Sequence, residues 1–193
     1  MKTLIIGSSH INHLDRYINR SGLRSFDLNN EHSVRLFGVN GGQLSNTSHI
    51  SRLERAIVNN RPNQLILQIG GNDLDSGNQL DADKLEEIIS GIISLCTMWR
   101  TRYHLQDVCV VQLFFRSRTR RTTVSKYNEH VRLANMKLKK ELAKHNHIRY
   151  WKVKGIKNSA QPVYSDGVHF NQNGLVKYYR AIRGAITSFH KAC

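Results

Sequence analysis

Five short apolar runs limit what this chain can fold into. They are TLIIG (3–7), SVRLFGV (33–39), QLILQIG (64–70), DVCVVQLF (107–114) and the shorter HIRYWKV (147–153). Runs of this length, rich in Val and Ile and separated by helical patterns, read as strands of a parallel sheet covered on both faces. The helical patterns lie between them. HISRLERAIVNN (49–60) turns Ile50, Leu53, Ala56 and Ile57 inward, and Pro62 stops it. DADKLEEIISGIISLCTMWRTRY (81–103) buries Leu85, Ile88, Ile89, Ile92 and Leu95, with acidic residues at its start that suit the helix dipole. SKYNEHVRLANMKLKKELAKH (125–145) opens on Ser125 as a cap, and NQNGLVKYYRAIRGAITSFH (171–190) closes the chain. With no repeats and no low-complexity linker, the alternation predicts one domain over residues 1–193. Its architecture is a three-layer α/β/α sandwich around a central parallel five-stranded sheet.

A chain of 193 residues, 39% of them hydrophobic, can bury a sizeable core. It has no apolar run of membrane-spanning length. The start, MKTLIIGSSHINHLDR, loses its apolar character after four residues and continues into Asp15 and Arg16, so it reads as a first strand and not a signal peptide. Cys96, Cys109 and Cys193 have neither metal-ligand spacing nor a disulfide framework. A reducing, intracellular, cytoplasmic setting is the expectation.

Polar loops follow the strand runs. GSSHIN (7–12), VNGGQLSN (39–46) and GGNDLDSG (70–77) follow the first three, and SDGVHFNQ (165–172) precedes the last helix. In a parallel sheet these loops meet in one crevice at the carboxyl ends of the strands. The residues gathered there suit serine hydrolysis. Ser9 is the candidate nucleophile, His169 the general base and then general acid, and Asp166 the group that holds the imidazole in the useful tautomer. The backbone N–H groups of Ser9 and Gly41 and the side-chain amide of Asn72 are candidates for an oxyanion hole. His10 is expected to turn away from Ser9. Asp166 and His169 have no third partner at metal-ligand spacing, so neither a metal nor a cofactor is expected.

With GSS (7–9), NGG (40–42), GGND (70–73) and DGVH (166–169) in this order, the chain resembles the SGNH hydrolases, also called the GDSL lipase/esterase family. The resemblance covers essentially the whole chain. It implies a flavodoxin-like sandwich, a small ester substrate and ester hydrolysis through an acyl-enzyme, with a short acyl or acetyl group favoured because no long insertion supplies a lid. Related domains occur in the first open reading frame of some non-LTR retrotransposons. The family usually has Asp where this chain has Ser8, which keeps hydrogen-bonding capacity and removes a charge.

The charge is uneven. Residues 1–99 hold 9 Lys+Arg and 10 Asp+Glu, whereas residues 100–193 hold 20 and 4. A basic second half points to an anionic partner, with nucleic acid and anionic lipid as the candidates. Arg116, Arg118, Arg120 and Arg121 of RSRTRR should lie at the mouth of the crevice and hold phosphate, with Lys137, Lys139, Lys140 and Lys144 extending the patch. The competing functional reading is therefore a weakly active or inactive module that binds polyanions through this half.

Overall fold

The apolar runs form strands β1 (Lys2–Gly7), β2 (Ser33–Gly38), β3 (Gln64–Gln68), β4 (Asp107–Val111) and β5 (Ile148–Trp151). They pair in the order β2-β1-β3-β4-β5, every pair parallel. These positions come from a computed structural model that describes residues 1–28, 32–75, 82–156 and 164–189. Ser76 and Gly77 of the third loop, Asp81 and His190 at the expected helix ends, and Cys193 lie outside the described residues.

Among the described residues, five α-helices cover the sheet: α1 (Ser9–Arg20), α2 (Thr47–Asn60), α3 (Ala82–Arg102), α4 (Val124–Leu142) and α5 (Gln172–Ser188). Strand side chains alternate between two cores. Ile5, Ile66, Cys109 and Val111 pack with Ile11 and Leu14 of α1 and Tyr178 and Ile182 of α5. Leu4, Ile6, Leu65, Leu67, Val108 and Val110 pack on the other face with α2, α3 and α4, around Trp99 and Tyr127. Leu65, Ile66 and Leu67 are fully buried, each contributing roughly 1.5–3 kcal/mol of transfer free energy. Tyr127, Tyr178 and Tyr179 are core residues.

Three differences from expectation stand out beside shifts of one to three residues at other element ends. First, α1 was not among the helices read from the sequence. Ile11, Leu14, Tyr17 and Ile18 form its buried stripe. Second, the cap of α4 is Thr123, which accepts from Lys126 N–H at 3.3 Å, and Ser125 lies inside the helix. Third, β4 stops at Val111, short of the expected Phe114. Beyond it, Asn135 brackets the Leu113 backbone, accepting from its N–H at 2.8 Å and donating to its carbonyl at 2.9 Å. Asn128 does the same for Arg116 at 2.9 and 2.8 Å. Side chains of α4 thus replace the missing ladder.

Strand order reverses between β1 and β3, since the chain leaves β1 for the edge strand β2 and returns to β3. Loops leaving β1 and β3 diverge there and open a crevice.

Candidate active site

Gly7 ends β1 under severe constraint. Its φ is +156°, and a Cβ there would sit 2.0 Å from the carbonyl oxygen of Gln68. Only glycine lets the two backbones come this close. Ser8 follows, buried, donating its N–H to the Gln68 carbonyl at 2.9 Å and its hydroxyl to Gln68 Oε1 at 2.8 Å. Ser8 holds the N-cap position of α1 but makes no side-chain cap bond. The helix therefore starts at Ser9 with that residue's N–H unpartnered among the described residues, a donor at the positive end of the helix dipole.

Across the crevice, Asn171 caps α5, accepting from Gly174 N–H at 3.0 Å. The preceding turn is closed by Asp166, whose Oδ1 accepts from Val168 N–H at 2.9 Å and His169 N–H at 2.6 Å. Its Oδ2 lies 2.7 Å from His169 Nδ1, and His169 Nε2 lies 2.9 Å from Ser9 Oγ. Partial burial works to raise the Asp166 pKa, but hydrogen bonds from the His169 ring and the two N–H groups outweigh it and hold the carboxyl well below its usual range. An ionised carboxylate only accepts, so the Nδ1 proton is assigned to the Asp166 side. Nε2 then accepts from the Ser9 hydroxyl. A hydroxyl so arranged loses its proton as it attacks, and the imidazolium formed faces a carboxylate.

The second and third loops interlock beside Ser9. Gly41 has φ +68°, and its N–H is unpartnered among the described residues. The N–H of Gly42 is taken by the Val39 carbonyl at 2.9 Å. Asn72 Nδ2 donates to the Gly42 carbonyl at 3.0 Å, which leaves its second N–H for a ligand. Asp73, buried behind it, accepts from Leu44 N–H at 2.8 Å, Ser45 N–H at 3.2 Å and Ser45 Oγ at 3.3 Å. Burial raises its pKa against those bonds. Asp73 thus fastens one loop to the other.

His169 is flanked by two further histidines. His13, one turn beyond Ser9, stacks flat on it with ring centroids 4.2 Å apart. His10 lies in an aromatic box, 5.0 Å from Phe114, 5.1 Å from Phe170 and 5.5 Å from His169. Burial, then the neighbouring His169 and Arg16, lowers the His13 pKa to about 4, against Asp166, which raises it. Burial lowers that of His10 in the same direction, with His169, Arg116 and His13 adding to it. The unfolded chain therefore takes up these protons first. The stability both residues contribute is complete above the unfolded histidine pKa, near 6.5, and declines as pH falls toward 4. The urea midpoint should drop between pH 7 and 4.5, and His13→Phe, which keeps a stacking ring but cannot titrate, should reduce that drop. An equal drop in both proteins would rule out His13 as a source.

The arginines separate. Arg118, Arg120 and Arg121 are exposed, but Arg116, expected at the mouth of the crevice, is buried at 6% exposure. It donates to Asp75 Oδ2 at 2.9 Å and to Asn72 Oδ1 at 2.8 Å. An inward carboxylate has drawn it from the surface, so it does not serve the anion-binding patch expected of it. An open groove of about 830 Å³ lies at the opposite edge of the sheet, lined by Arg100, Asp107, Lys139, His147 and Arg149. Among the described residues that groove contains no hydrogen-bonded hydroxyl–imidazole–carboxylate chain.

A parallel α/β/α sandwich with this chain of groups at its switch point defines the class of SGNH-type hydrolases. The family described as GDSL-like Lipase/Acylhydrolase matches residues 4–182, and the chain belongs to it. Solved structures agree in fold. A GDSL-like lipase from Bacteroides thetaiotaomicron superposes with a TM-score of 0.72 at 17% identity, covering 97% of this chain and 88% of that one. A lipase/acylhydrolase from Enterococcus faecalis gives 0.65 at 16%, covering 97% and 96%. An acetylxylan esterase from Geobacillus stearothermophilus gives 0.60 at 15%, covering 94% and 91%. No curated protein matches the chain. No described helix is long and apolar enough to cross a membrane.

Proposed function

We propose that the protein hydrolyses carboxylic esters of short acyl groups, acetyl foremost, through an acyl-Ser9 intermediate. The observation that carries this reading is the unbroken run from Ser9 Oγ to His169 at 2.9 Å and on to Asp166 at 2.7 Å. Ser9 Oγ attacks the carbonyl carbon while Nε2 of His169 takes its proton. The oxygen of the tetrahedral intermediate is met by the N–H groups of Ser9 and Gly41 and the free N–H of Asn72, each worth roughly 3 kcal/mol. His169 then protonates the departing alcohol, and water, activated by the same nitrogen, releases the acid. Family membership supports ester hydrolysis as the class, and the acetylxylan esterase among its structural neighbours supports a small acyl group. Arg118, Arg120 and Arg121 stand beside this site and suit a substrate with negative charge on its leaving portion.

The test is covalent. A fluorophosphonate probe should add one mass increment, mapped by peptide sequencing to Ser9. Among p-nitrophenyl esters, kcat/KM should fall from acetate to longer chains. Failure of the probe to label Ser9, with no ester turned over above the buffer rate, would leave the competing reading of a polyanion-binding module on the same fold.

A further inference from the structure

The segment after β4 joins the two halves of the site. Ser117 N–H and Arg118 N–H donate to the Gly167 carbonyl at 2.9 and 3.2 Å, inside the turn that carries Asp166 and His169. Arg120 N–H and Arg121 N–H donate to Asp75 Oδ1 at 3.0 and 3.2 Å, in the loop that carries Asn72. Between these contacts, the Arg116 guanidinium lies 4.9 Å from the centre of the Tyr127 ring and forks, one nitrogen to Asp75 and the other to Asn72 Oδ1. Gly71 packs beside the fork: a Cβ there would meet Tyr127 Oη closely, at 3.2 Å, and the Arg116 nitrogen in ordinary contact at 3.6 Å.

A carboxamide can present either end, and only one end of Asn72 can stabilise an oxyanion. Arginine donates and never accepts. The nitrogen 2.8 Å from Asn72 therefore admits only Oδ1 on that side, and the Gly42 carbonyl, which only accepts, selects Nδ2 on the other. We infer that Arg116 is a positioning residue for ester hydrolysis: it sets the orientation of the Asn72 carboxamide so that Nδ2–H faces the oxyanion. This rests on the proposed function. The buried Asp75 fixes Arg116 in turn. Lysine carries its donors on one nitrogen and lacks the planar fork, so it cannot reproduce this two-nitrogen geometry.

The test compares kcat and KM on p-nitrophenyl acetate for wild type, Asn72→Ala, Arg116→Met, Arg116→Lys and the Asn72→Ala/Arg116→Met double variant. Asn72→Ala should lower kcat about 100-fold, as removal of one oxyanion donor does. Arg116→Met should lower kcat about 10-fold or more with KM within about twofold, since a misplaced donor is lost only in the transition state. Arg116→Lys should recover part of this. The double variant should be no slower than Asn72→Ala alone, because Arg116 acts only through Asn72. Arg116→Met strands a buried carboxylate, so Asp75→Asn/Arg116→Met, which removes both charges, serves where the single variant does not fold. Wild-type kcat in a folded Arg116→Met, or losses that multiply in the double variant, would overturn the inference. The Asn72 side-chain 1H–15N resonances should shift in Arg116→Met, and this readout does not need turnover. If wild type neither hydrolyses esters nor labels at Ser9, the functional reading fails on its own; unmoved Asn72 resonances sink the positioning role.

Discussion

Ser9→Ala is expected to lower kcat/KM by about 10⁴-fold or more while leaving the protein folded. Among the described residues the hydroxyl makes its side-chain hydrogen bond to His169 alone, on a residue that is only half-buried. Its loss should therefore change stability by no more than about 0.5 kcal/mol. Removing His169 should cost about as much, and Ser9→Ala/His169→Ala should be little worse than either alone. Groups that move one proton together fail together. Steady-state kinetics with thermal unfolding on the same samples separates loss of chemistry from loss of fold. Residual activity above one-tenth of wild type in Ser9→Ala would exclude it as the nucleophile.

Gly7→Ala should be the most damaging single methyl group in the molecule. The added carbon would sit 2.0 Å from a backbone oxygen of β3, which is held in the ladder and cannot swing aside as a side chain end can. Either β1 and β3 separate or the β1–α1 junction is rebuilt, and a loss of more than about 3 kcal/mol is expected. Gly41→Ala provides the contrast. Its φ is +68° but nothing lies within 4 Å of the new carbon, so only left-handed strain remains, about 1–2 kcal/mol. Thermal melts of the two variants should differ accordingly, with Gly7→Ala yielding little folded protein. Equal melting temperatures would mean that Gly7 is not the pinch point between the central strands.

Much of the fold was readable because each strand run had to be covered on both faces and each helix carried its own apolar stripe. The edges of the elements were less readable. DVCVVQLF continues as an apolar run to Phe114, but pairing ends at Val111. The residues after it are held by Asn128 and Asn135 from a helix distant in sequence. α1 is hidden in the sequence for a related reason: its first turn is also the polar loop GSSHIN, and its apolar stripe of Ile11, Leu14 and Ile18 begins inside that loop.

The candidate site divides along the same line. The sequence by itself determined which loops could meet, because a parallel sheet brings the loop after every strand to one edge. It also marked Ser9, Asp166, His169 and Asn72 as the candidates for chemistry among them. Tertiary structure alone decided how the remaining polar residues were used. Ser8, in the place of the family's usual aspartate, turns its hydroxyl down to Gln68. Asp73 and Asp75, two residues apart, fasten different loops. Arg116, one of four similar arginines in six residues, is drawn inward by Asp75 and set on Asn72, while Arg118, Arg120 and Arg121 stay at the surface. The physical reason is that a buried charge goes where a partner and a cavity of the right shape already exist. Partners separated by 41 and 44 residues leave no periodic or local mark along the chain.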